Sequence, residues 1–120
     1  MRKIFLLVFC LFAFSLPASA TPPTSISLSY DLAQGTLHVE AIHPTSNLDK
    51  NFVRLMKVSV NDQEVSSLNY YKQNDYDKFS DDVPLTAQVG DVIKVELFCA
   101  EGGSMSKEMT VKTPGEAPSN

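Results

Sequence analysis

The sequence predicts an all-β chain, an antiparallel β-sandwich of about seven short strands. Three observations carry this. Between residues 25 and 112 apolar residues recur with a period of two, the mark of half-buried strands. Gly, Pro and Asn-Asp steps interrupt the alternation at short, regular spacing. No stretch carries an apolar stripe at three- and four-residue spacing, which an amphipathic helix would need.

The strands follow in order. Ile26, Leu28, Tyr30 and Leu32 alternate with Ser27, Ser29 and Asp31, and Gly35 turns the chain. Leu37, Val39 and Ala41 alternate with His38 and Glu40; Ile42 breaks the polar side and His43-Pro44 stops the strand. A polar loop, Thr45 to Lys50, leads into a third strand, Phe52 to Val60. Asn61-Asp62 then stands where a tight hairpin needs left-handed backbone, which Asn and Asp tolerate. Glu64 to Tyr71 returns, and Lys72 to Asp77 reads as loop. Phe79 to Leu85 is a weak strand interrupted by Pro84. After the Val89-Gly90-Asp91 turn, Val92 to Cys99 alternates most clearly, with Ile93, Val95, Leu97 and Cys99 on one face. Gly102-Gly103 turns the chain, and Glu108 to Lys112 is a last short strand. The size and spacing fit an immunoglobulin-like sandwich without the Cys…Trp…Cys pattern of true immunoglobulin domains.

The chain has 120 residues, enough for one domain. Residues 1–20 read as a secretory signal peptide: Arg2 and Lys3, an apolar run from Ile4 to Leu16, and Pro17-Ala18-Ser19-Ala20 with the Ala-x-Ala cleavage pattern. The run is short for a span of about 20 apolar residues. Cys10 is flanked by bulky Val8 and Phe9, unlike a lipidation site. Cleavage after Ala20 leaves 100 residues, 8 basic against 14 acidic, a charge of -6 and one thiol, Cys99. The expected location is periplasmic or secreted, with no membrane attachment after cleavage. The expected layout is a Pro-rich tail at 21–24, the sandwich over 25–112 and a flexible tail at 113–120. The acidic balance argues against nucleic acid, which calls for a Lys/Arg patch.

Two residues stand out by phase. His43 continues the inward series Leu37, Val39, Ala41, and Cys99 ends the inward series of its strand. A small sandwich could bring both strand ends to one rim, where thiolate and imidazole suit a soft or borderline metal. Two ligands are few, since most protein sites use three or more. The plainer readings are a small buried hydrophobe for Cys99 and a strand-end cap for His43. His38 falls on the opposite face and reads as solvated. No nucleophile elbow, phosphate-binding Gly loop or calcium loop is present, so no catalytic residue is expected. The segment 70–82 holds Tyr70, Tyr71, Tyr76 and Phe79 among Asp75, Asp77, Asp81 and Asp82. It reads either as a surface for a periplasmic protein partner or as alternating core.

The stretch Val39-Glu40-Ala41-Ile42-His43-Pro44, the loop, Phe52 to Val58 and the Asn61-Asp62 hairpin together resemble the superoxide reductase (desulfoferrodoxin iron-binding) family. Val89 to Cys99 resembles that family's final core strand, which ends in a ligand Cys. The similarity spans about residues 37–111. It implies ferrous iron (Fe2+) held by four imidazoles and an axial thiolate, with one position open for superoxide. On this match His43 is an iron ligand and Cys99 the axial thiolate. Asn51 and Gly102 stand where the family has two further His ligands, and the segment bearing its first His has no counterpart. The resemblance therefore implies a member with an incomplete ligand set and an altered metal site, more in keeping with a non-enzyme than with a working reductase. The chain is also similar, more weakly, to the sandwich-shaped carrier-partner subunit of periplasmic thiosulfate oxidation, which would imply a protein-binding role without metal.

Overall fold

In the computed structural model, which describes residues 22–114, all regular structure is extended. The strands are β1 (Ser25–Asp31), β2 (Thr36–Ile42), β3 (Val53–Val60), β4 (Gln63–Asn69), β5 (Lys78–Pro84), β6 (Val92–Cys99) and β7 (Ser104–Thr110). They form two antiparallel sheets, a three-stranded one in the order β1-β2-β5 and a four-stranded one in the order β4-β3-β6-β7. The expected β-sandwich is what forms. The signal-peptide reading of residues 1–20 lies outside the described residues, as does most of the expected C-terminal tail.

The alternation read from the sequence is the alternation of burial. In β2 the side chains of Leu37, Val39 and Ala41 point inward, while His38, Glu40 and Ile42 are exposed. In β6 Ile93, Val95, Leu97 and Cys99 are buried. They meet the β2 set, Ile26, Phe79 and Val83 from one sheet and Val53, Met56 and Val58 from the other in a single core. Each fully buried aliphatic side chain there contributes about 1.5–3 kcal/mol relative to exposure. This core must hold a domain that has no disulfide among its described residues.

Turn chemistry fixes the registers. Asn61 and Asp62 take φ of 51° and 69°, and Val60 pairs directly with Gln63, giving a two-residue hairpin with both central residues left-handed. Asn61 also ties this turn to the start of β6, donating to the Asp91 carboxylate and accepting from the Val92 amide. At the same end of the sandwich the Tyr30 hydroxyl donates to the Leu85 carbonyl and accepts from the Ala87 amide.

Two expectations at the ends need correction. The Pro-rich tail expected at 21–24 is tied into the sheet at its end, where the Thr24 amide donates to the Ile42 carbonyl at 2.9 Å and extends the β1–β2 pairing. Pro23 is buried, and Pro22 lies against Gly103, 2.9 Å from where a Cβ there would sit. Prolines spoil the pattern for a reader of the sequence, but Thr24 still has its amide. The last strand begins at Ser104 rather than Glu108. Met105 and Met109 face the core two steps either side of Lys107, which pairs with inward-facing Val95 but stays exposed because β7 is an edge strand. A charge in the inward phase hides the strand.

Candidate functional site

His43 lies one residue beyond β2 and keeps its phase. Its amide donates to the Asp77 carbonyl at 2.9 Å, so pairing with the chain before β5 continues past the end of β2. The ring therefore points inward at the rim and is 1% exposed. Cys99 closes β6 in the facing sheet, opposite Val53, and is 3% exposed. Its amide closes the tight turn that follows, donating to the Gly103 carbonyl at 3.0 Å. The two strand ends meet: Cys99 Sγ lies 3.2 Å from His43 Nε2.

A third residue completes the cluster. Gln73, in the β4–β5 loop, is 2% exposed. Its Oε1 lies 2.9 Å from His43 Nδ1, and its Nε2 donates to the carbonyls of His43 and Asp75, each at 2.9 Å. The Gln73 amide in turn donates to the Leu48 carbonyl, tying this loop to the one that precedes β3. Nothing in the sequence marks Gln73. It stands in an aperiodic polar loop, and its partner is thirty positions away.

Burial pushes the Cys99 thiol up to about 11, with the nearby Arg54 guanidinium acting weakly in the opposite direction. Arg54 is the extra residue where the β3–β6 register shifts, and its guanidinium lies 5.9 Å from the Phe98 ring centre on the outer face. At neutral pH Cys99 is thus a thiol and a weak nucleophile.

Of the other residues singled out by sequence, His38 falls elsewhere, whereas Gly102 stays beside the rim, its amide donating to the Cys99 carbonyl at 3.0 Å. His38 is on the outer face, as its phase requires, with Nδ1 2.6 Å from the Asp82 carboxylate; both side chains are largely exposed. Asn51 belongs to the turn before β3, its amide donating to the Asn47 carbonyl. Gly102 takes φ of +105°, a backbone that a histidine rarely adopts. Among the described residues no group of three or more His, Cys, Asp or Glu side chains is placed to hold a metal ion. The chain matches no protein-family model and no curated protein.

The aromatic segment divides. Phe79 is core, and Tyr70 is half-buried against it, edge to face at 4.9 Å, with its hydroxyl donating to Asp81. Tyr71 and Tyr76 are 81% and 59% exposed. Burial first, then the hydrogen bond and charge of Asp81, raise the Tyr70 hydroxyl well above its ordinary 10.0. Cys99 and Tyr70 both keep their protons longer folded than unfolded. The native state then binds more protons in alkali, and stability falls as pH rises. The urea midpoint should hold up to about pH 8 and decline from the ordinary thiol value of 9.0 through about 11. Tyr70→Phe and Cys99→Ala should each flatten that decline. Equal midpoints at pH 8 and pH 11 would contradict it.

Proposed function

We propose that the chain is an exported superoxide-reductase-like domain with an altered metal site, in which Cys99 and His43 are the remaining protein ligands. One observation carries the reading. The two residues that the resemblance assigns as iron ligands, fifty-six positions apart, lie 3.2 Å from each other at one rim of the sandwich. The strand order, with three strands facing four, is in keeping with an immunoglobulin-like arrangement.

The donor set does not fit the family's five-ligand ferrous centre. Of the two histidines in the chain, His38 lies on the outer sheet face. The Gly102 backbone would strain a histidine placed there. Superoxide reduction at a thiolate and four imidazoles therefore has no basis in these residues. One soft and one borderline donor in a dry setting favour a soft cation that accepts few protein ligands. Anaerobic loading with Fe(II), Zn(II) or Cu(I), followed by metal analysis, tests the reading. The expected result is near-stoichiometric retention of at least one of them, abolished in Cys99→Ala. Substoichiometric metal that Cys99→Ala leaves unchanged would sink it.

The exposure of Tyr71 and Tyr76 beside Asp75 and Asp77 favours a second reading, a non-enzymatic module that binds a periplasmic protein partner. Retention of a specific partner from periplasmic extract should then weaken in a Tyr71→Ser/Tyr76→Ser variant. Unchanged retention would remove these two side chains from the interface.

A further inference from the structure

We infer that Gln73 is the positioning residue of the rim site: its amide holds the His43 ring as the Nδ1–H tautomer and so aims the Nε2 lone pair at Cys99 Sγ. The argument begins with the amide itself. Gln73 Nε2 sits 2.9 Å from two carbonyl oxygens, those of His43 and Asp75. A flipped amide would put Oε1 against both, acceptor facing acceptor, so the amide has one workable orientation. Oε1 is then the atom facing His43 Nδ1 at 2.9 Å, and an amide oxygen can only accept. Nδ1 must carry the proton. In a neutral imidazole the other nitrogen is then an acceptor, and that nitrogen faces the sulfur at 3.2 Å.

The same amide also grips the His43 backbone carbonyl, so ring and main chain are held by one side chain. This is the role that outer partners play for metal-binding imidazoles, fixing both tautomer and ring direction. With Nδ1 committed to Gln73, Nε2 is the nitrogen that faces Cys99. The consequence for metal uptake rests on the reading proposed above. The tautomer does not.

The test is a long-range proton–nitrogen NMR spectrum of the full mature protein with 15N-labelled histidine. The two ring systems are assigned with a His38→Asn variant. The expected result is a protonated Nδ1 and an unprotonated Nε2 for His43, and a mixed or reversed pattern in Gln73→Leu. Where metal is retained, affinity in Gln73→Leu should fall about 10–100-fold, with His38→Asn unchanged. A protonated Nε2 in the unaltered protein overturns the inference, and this measurement needs no variant to fold. An unchanged tautomer together with unchanged affinity in Gln73→Leu also overturns it. Failure to bind any metal, with the expected tautomer present, removes the proposed function and leaves the role of Gln73 standing.

Discussion

Gln73→Leu should destabilise the domain by about 2–4 kcal/mol, read as a lower urea midpoint at unchanged slope. The side chain is fully buried and makes three hydrogen bonds. Removing it takes an acceptor from His43 Nδ1–H and a donor from the His43 carbonyl. Each such loss in a buried place costs about 1–3 kcal/mol. The Asp75 carbonyl lies nearer solvent, where water can replace the lost donor, and it adds little. For a domain of this size, with total stability of about 5–15 kcal/mol, that is a large share. The sharper expectation is non-additivity. Adding His43→Leu should recover part of the loss, because the ring nitrogen deprived of its acceptor disappears with the ring. If Gln73→Leu costs less than about 0.5 kcal/mol, the network is not satisfied in the way its geometry implies.

An apolar trio at the rim would pack without any need for matched donors and acceptors, whereas a buried polar network holds only while every member is satisfied. Cys99 packs with Leu37, Val39, Ile93, Val95 and Leu97 as part of the core, whereas His43 and Gln73 are the two buried polar residues among those described.

How far the sequence reaches is set by periodicity. β2 and β6 alternate cleanly, so the sequence alone places His43 and Cys99 inward at strand ends. Their meeting follows only once the two sheets face each other, because it depends on pairing across fifty-six residues. Gln73 carries no sequence signal for a different reason. A loop has no period, and the residue is buried through contacts with Leu48, His43 and Asp75 rather than through a face it shares with neighbours. Pro84 illustrates the reverse case. It weakens the strand signal, yet it sits at the end of β5, opposite Thr36 on a strand with one neighbour, where a missing amide costs no ladder bond on the open side. Tyr70 and Tyr71 could not be told apart by composition. One turns into the seam with Phe79 and Asp81, and the next faces solvent.

Leu37→Ala should cost more than Leu97→Ala, although both side chains are fully buried at 0% exposure. The range for such truncations is about 2–5 kcal/mol, and the spread depends on how well the surroundings close over the cavity. Leu37 lies between Tyr30 and Val83 in its sheet. Val83 is β-branched and stiff, and Tyr30 is pinned by its hydroxyl to Leu85 and Ala87. Little can move in, and about 4 kcal/mol is expected. Leu97 lies between Met56 and Met105, whose unbranched side chains can swing into the space, so about 2.5 kcal/mol is expected. The two variants should also differ at the thiol. Leu97 is the inward neighbour two positions before Cys99, whereas Leu37 belongs to the opposite end of its sheet from His43. Native-state labelling of Cys99 by a small neutral alkylating reagent should therefore accelerate in Leu97→Ala beyond what its lower stability accounts for. In Leu37→Ala labelling should rise only in step with global unfolding. Reversed stabilities, or thiol labelling that tracks global stability alone in both variants, would show that the Cys99 end of β6 does not depend on the methionine-flanked row beside it.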